Sequence, residues 1–503
     1  MDLFNGARIP LTDIPLLTLK EFREEIIRRC QGDTRLVNFF GYLPGDGAVG
    51  LCAVLACDED AELSVFSARV TAHEAQYASL TPDLVQAHLF EREIAEQWAV
   101  VPLGHPWLKP VRYHANYRGV ADIWPDVAGR TIPGAYPFYA IDGEEVHEVG
   151  VGPVHAGIIE PGHFRFQCHG EEILHLEIQL GYQHRGIEML MHGSDLKRGM
   201  LLSESIAGDT SIGHSLAFCE VVESLSGCHI PSRAQAIRAV ALELERLCNH
   251  VGDLGALGMD AGFLPTSAYF GRMRGDYLNL LLALTGNRFG KGLCRPGGVS
   301  FDIDAAMADD FCRKLKVYKR EFEDVSGLLF SRPSILARFE GVGVISSQVA
   351  QKIGMVGPAA RASQLERDVR INHPSGMWQF HHVPVSLGAT GDVYARAFVK
   401  RQEVMRSIEF LLKVLPSLPQ GEVFIPAGPM QPGALAVSLV EGWRGEIMHL
   451  GITDAQGGFL RYKIKDPSFH NWFGLALAMR NQEISDFPLC NKSFNLSYCG
   501  HDL

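Results

Sequence analysis

The stretch SESIAGDTSIGH, residues 203–214, gathers side chains able to act on a ligand. Asp209 can hold a negative charge, Thr210 can donate or accept a hydrogen bond, and His214 can exchange a proton near neutral pH. Ala207 and Thr210 stand three apart around Gly208, the spacing of a CxxC metal clip that has no sulfur in it. Just upstream, in LGYQHRGIEML (180–190), His184 and Glu188 are four apart and Arg185 and Glu188 three apart. That spacing puts them on one helix face, which taken alone reads equally well as a surface ion pair. Glu243, Arg246 and His250 fall on one face of a longer helical pattern.

Sulfur is present but not in metal-clip order. The eleven cysteines include no CxxC, and the Cys52/Cys57 and Cys490/Cys499 spacings do not suit a zinc clip. Most are expected to be buried thiols acting as small hydrophobes. No Fe–S cysteine set and no GxGxxG dinucleotide fingerprint occurs.

Around these residues the periodicity predicts an α+β fold: a small N-terminal α/β part, then a mainly helical part with peripheral strands. A helix is expected over 19–30, strands over 36–42, 49–56 and 62–70, and a carboxylate-rich helix over 80–100. A Gly/Pro-punctuated connector runs to about residue 140, which sets expected domains of 1–135 and 145–503. Strands are expected within 151–178, helices over 233–257, 271–289 and 391–415, and strands again after Gly421.

A chain of 503 residues exceeds one core and implies two or three domains. Its net charge of −12 argues against nucleic acid as a partner. No run of 18 apolar residues appears, and MDLFNGARIP lacks the pattern of a secretion signal. The chain is expected in the cytosol or docked on a membrane complex, and not inserted in a bilayer.

RGIE followed by ESIAGDTSIGH resembles the segment of nickel–iron hydrogenase large subunits that carries RGxE and then ERxCGxC. It also resembles the D-type subunit of respiratory complex I, which shares that fold and binds quinone. TGNRFGKGLCRPGGV (285–299), the 341–370 segment GVGVI…RAS…DVR, RGEIMHL (444–450) and RYKIKDPSF (461–469) continue the resemblance in order. LFEREIAEQWAV and GHPWLKPVR are similar to the end of the complex I C-type subunit, so the whole is similar to a fused C-plus-D arrangement, as in formate-hydrogenlyase-type and hydrogenase-4-like large subunits. On this register the four nickel-binding cysteines are replaced by Ala207, Thr210, Ser497 and Gly500. Cys490 and Cys499 lie nearby but out of register. The resemblance implies an oxidoreductase subunit of a membrane complex whose nickel site is lost, serving quinone reduction coupled to ion translocation. No cofactor is expected to be held tightly by this chain. Catalytic groups are expected at His163, Asp209 and Thr210, with His155, Tyr182, Arg185, Glu188 and His214 lining the quinone pocket; the tyrosine that complex I places there falls on Gly208. Arg272, Arg274 and Arg295 are expected in structural ion pairs. Expected partners are a small subunit with a 4Fe–4S cluster and antiporter-like membrane subunits. The alternatives are a non-catalytic coupling scaffold and, less favoured on ligand chemistry, an active nickel–iron hydrogenase.

Overall fold

A computed structural model describes residues 2–124 and 137–503, apart from positions 46, 72 and 158. The N-terminal part is built on an antiparallel meander of strands Thr34–Tyr42, Val49–Cys57 and Glu62–Val70. These strands are apolar on both faces because both are covered. Phe39, Leu51 and Leu55 pack under helices Leu19–Cys30 and His88–Trp98. Val37, Phe40 and Val54 pack against Leu435, Val437 and Leu450 of a second sheet.

That second sheet is formed by Ala434–Gly442, Gly445–Thr453 and Phe459–Lys465, with Arg8–Pro10 at its edge. Ile9 pairs with Leu435 across 426 positions of sequence, so residues 8–10 belong to the C-terminal sheet. The expected domain end at 135 lies outside the described residues. A third sheet joins Val146–Val151, His163–His169 and Glu172–Gln179.

The helical part is organised around Ser232–Asp260, 29 residues long. It is buried nearly all round, by Leu264–Thr285 and Val393–Val414 among others. Its Glu243, Arg246 and His250 do share a neighbourhood, but inside the core. Glu243 accepts from Arg246 and Arg370, and Glu403 receives His250 Nε2 at 2.8 Å and Arg361 at 2.6 Å. Burying such charges is tolerable only because each is paired and hydrogen-bonded. The expected helix over 271–289 begins earlier, at Leu264, and stops at Thr285, where Gly286 takes a left-handed conformation with φ 74°. The helices Ser211–Ser226 and Ala305–Ser331 were not separated by the sequence pattern. Among the described residues, no helix is long and apolar enough to cross a membrane.

The 80–100 segment is one 3-10 turn, Val85–Ala87, and the helix His88–Trp98. The three glutamates of that helix are buried, not solvated. Glu91 accepts backbone N–H groups from Leu80 and Thr81, Glu93 pairs with Lys463, and Glu96 accepts from the Arg112 backbone.

Candidate functional site

The positions of the missing sulfur converge. Ala207 and Thr210 sit at the entry to helix Ser211–Ser226, and Ser497 and Gly500 on the short helix Tyr498–Asp502 and its cap. Arg185 ties the two together, with its guanidinium donating to the Ile206 and Cys499 carbonyls, both at 3.0 Å. Arg444 makes a second tie. It forms a two-pronged ion pair with Asp209, at 2.6 and 2.7 Å, and donates to the Asn495 carbonyl at 2.6 Å. Thr210 Oγ1 accepts from Arg444 at 3.3 Å and from the Trp443 indole at 3.1 Å.

The space left by the last cysteine is filled by a carboxylate. A Cβ built on Gly500 would lie 2.6 Å from Asp466 Oδ2 and 2.8 Å from Ser497 Oγ. Asp466 is fixed there by His214 Nε2 at 3.1 Å and the Ser468 N–H at 2.8 Å. Behind it runs a fully buried relay: His214 Nδ1 meets His449 Nε2 at 3.0 Å, and His449 Nδ1 meets the Tyr462 hydroxyl at 2.8 Å. Burial, with His214 beside it, holds His449 well below the usual histidine range, so its ring is neutral. A neutral His449 donates from one ring nitrogen and accepts at the other, so it links Tyr462 and His214 through one donated and one accepted hydrogen bond.

Burial pushes the Asp209 carboxyl up, but Arg444 beside it outweighs burial and holds it below the usual carboxylate range. Asp209 is thus an ionised, partnered acceptor near neutral pH and a poor proton donor. Glu245 is the opposite case. It caps helix Ser211–Ser226 through the Ile212 and Gly213 N–H groups at 2.7 and 3.1 Å, yet burial raises it to about 8.

A nickel–iron centre does not fit these residues. Alanine, threonine, serine and glycine offer no thiolate, and Asp466 occupies the space of the fourth sulfur. Cys490 and Cys499 cannot replace them. Burial raises their thiols to about 11 and about 12, which leaves them protonated, and Cys490 packs beside Arg396 at 3.7 Å.

The sequence-predicted residues separate into groups. Asp209, Thr210 and His214 belong to the converged cluster, and Arg185 braces it. Glu188 does not belong, and no helix-face pair with His184 or Arg185 forms, because the helix starts only at Ile187. Glu188 is buried and bonded to Arg461, Lys463 and the Ile464 N–H at 2.7, 2.8 and 3.1 Å. Burial raises its carboxyl, but those two cations hold it far below the usual range. Tyr182 is half-buried beside Asp502 and makes no hydrogen bond among the described residues. His163 lies at the start of its strand, with Nδ1 3.2 Å from the Gly152 carbonyl and Nε2 accepting from Arg165 at 3.3 Å. It forms no hydrogen bond with Asp209 or Thr210. His155, in the loop between the first two strands of that sheet, sits closer to the converged positions. Its ring is 6.3 Å from Tyr498, and its buried Nε2 has no partner among the described residues. From the same loop, Glu160 accepts the Cys499 N–H at 3.3 Å. Arg272 is an exposed ion-pair member with Asp276 and Glu321, Arg274 packs against Gly252, and Arg295 stacks 3.5 Å above Phe424.

Arg444, His449, Tyr462 and Asp466 were missed as site residues. All four lie within RGEIMHL and RYKIKDPSF, so the motifs were visible while the direction of their side chains was not.

Comparison with known proteins agrees with this architecture. Residues 260–433 match the family described as the respiratory-chain NADH dehydrogenase 49 kDa subunit. The carbon monoxide-induced hydrogenase of Rhodospirillum rubrum is 31% identical over 350 residues, which cover 69% of this chain and 97% of that protein. Formate hydrogenlyase subunit 5 of Escherichia coli is 29% identical over 456 residues, covering 85% of this chain and 77% of that one. A chain of the membrane-bound sulfane sulfur reductase, an archaeal respiratory membrane complex, superposes with a TM-score of 0.68 at 23% identity, over 73% of this chain and all of its own.

Proposed function

This chain belongs to the superfamily that unites nickel–iron hydrogenase large subunits with the complex I D-type subunit, and from that premise we propose that it is an oxidoreductase subunit working without nickel inside a membrane-bound, complex I-like assembly. The observation that carries the reading is the Asp466 carboxylate standing where a fourth cysteine would project from position 500. A site with that occupant can bind or pass protons but cannot anchor a redox metal through sulfur.

In this reading a small partner subunit with a 4Fe–4S cluster delivers two electrons to a quinone held under the 152–162 loop. Two protons complete its reduction to the quinol. His155 is the group best placed to donate to a quinone carbonyl, since its Nε2 is buried and unpartnered among the described residues. Burial holds His155 and His163 below the usual histidine range, so both rings are neutral; the one N–H of His163 goes to the Gly152 carbonyl, which leaves His155 as the donor. Arg185 and the Asp209–Arg444 pair hold the floor of the pocket rigid. Antiporter-like membrane subunits would couple the reaction to ion movement, with this chain peripheral at the cytoplasmic face.

The filled cluster favours one competing reading, a coupling scaffold without chemistry, because Asp209, Arg444, His214 and Asp466 already satisfy one another. Metal analysis of the assembled complex and titration with a short-chain quinone analogue separate the readings. Expected are substoichiometric nickel and analogue binding that weakens tenfold or more in His155→Ala. Stoichiometric nickel, or hydrogen oxidation by the complex, would overturn the whole account. Analogue binding that is absent, or indifferent to both His155→Ala and His163→Ala, would leave the scaffold.

A further inference from the structure

Away from the converged cluster, a cavity of about 630 Å³ opens between helix His88–Trp98, the 104–111 segment, strand Glu172–Gln179 and helix Ser468–Ala478. That volume lies within the range of small-molecule sites. Its walls are mainly apolar and include Leu89, Leu176, Trp472 and Phe473. Trp472 and His501 separate it from the emptied centre. The Trp472 indole donates to the Ser497 carbonyl at 3.2 Å, and His501 follows Gly500 in sequence.

The charges at the rim do not balance. Lys109 and Glu177 neutralise each other in an ion pair, and Glu177 also accepts the Tyr139 N–H at 2.8 Å. Burial lowers His88 to about 3 and His105 to about 4, so both are uncharged. Arg92 remains. Its guanidinium donates to the Lys109 and Pro110 carbonyls, both at 2.7 Å, and has no carboxylate partner among the described residues. Glu96, four positions along the same helix, acts on this guanidinium but is hydrogen-bonded to the Arg112 and Tyr113 N–H groups, so Arg92 has no anion in direct contact among the described residues.

We propose that this cavity binds an amphipathic anion, with an acyl chain along the Leu89, Leu176 and Phe473 wall and a carboxylate or phosphate head at Arg92. The shape supplies room for a chain, and Arg92, which hydrogen-bonds to carbonyls and to no carboxylate among the described residues, fixes where the head goes. The site is distinct from the quinone pocket proposed above and does not depend on it.

The test titrates the full chain, and then the assembled complex, with dodecanoate, dodecyl phosphate and dodecanol, followed by the fluorescence of the lining Trp107 and Trp472. Both anions should bind at least tenfold more tightly than the alcohol. Arg92→Gln should remove that preference while leaving dodecanol binding unchanged. Because Arg92 also braces two carbonyls, Ala476→Trp serves as a second variant: it fills the cavity without touching a charge, and should abolish binding of all three. Tighter binding of dodecyl phosphate than of dodecanoate assigns a lipid phosphate, and the reverse order a fatty acid. Equal binding of the alcohol and the anions would overturn the proposal. So would undiminished binding in Ala476→Trp, or binding lost in the assembled complex, where a neighbouring subunit would then cover the cavity.

Discussion

At position 500 a single hydrogen atom is the side chain, and the structure shows what that permits. Asp466 Oδ2 sits 2.6 Å from where a Cβ would stand, held in place by His214 and the Ser468 N–H. Gly500→Ala should therefore destabilise the chain by about 1–3 kcal/mol, the usual cost of overpacking. The penalty should shrink by about 1 kcal/mol or more in an Asp466→Ala background, though not vanish, because Ser497 Oγ is also close. Denaturant titration of the four proteins in this cycle measures the coupling. Additive costs would mean that the carboxylate does not occupy the space of the lost sulfur.

The elements that carry the cluster are positioned by their ends as much as by their faces. Helix Val393–Val414 supplies Lys400, which pairs with Asp253, which in turn accepts from Asn495 beside Ser497. That helix is capped by Asp392, whose side chain accepts the Ala395 N–H at 2.8 Å and also the Gly341 N–H at 2.9 Å. Removing it in Asp392→Ala should cost about 1–2 kcal/mol, toward the upper end for a helix cap because a second N–H loses its partner. Thermal unfolding checks this, and a cost near zero would show that the cap does not hold the helix.

For the molecule as a whole, buried carboxyls set the response to pH. Glu245 is raised from about 4.5 to about 8 by burial, only partly offset by the two N–H groups it caps. The folded chain therefore holds this proton more tightly than the unfolded chain does. Its contribution is complete below pH about 4.5 and fades as pH rises toward 8, with a slope of about 1.4 kcal/mol per pH unit between the two values. Stability should fall between pH 5 and 8, and Glu245→Gln, which stays neutral, should flatten that fall. Groups such as Glu188 and Glu446, depressed by cations that outweigh their burial, act oppositely: their contribution is complete above pH about 4.5 and is lost progressively as pH falls below it. A wild-type profile flat from pH 5 to 8 would contradict the assignment.

The loss of a sulfur-held metal was legible in the sequence, because ligand chemistry is a property of residue identity: Ala207, Thr210, Ser497 and Gly500 cannot become thiolates in any fold. The N-terminal strands and the helices over 233–257 and 391–415 were legible too, since periodicity is local and survives in one dimension. What fills the emptied site was not legible. Arg444 reaches Asp209 across 235 positions and His214 reaches Asp466 across 252, and nothing local marks such partners. The same limit misplaced Glu188, whose spacing from Arg185 suggested a surface pair but whose partners, Arg461 and Lys463, arrive from a distant strand and bury it. Composition decides which chemistry is excluded, while only chain packing decides which groups face one another in the space that remains.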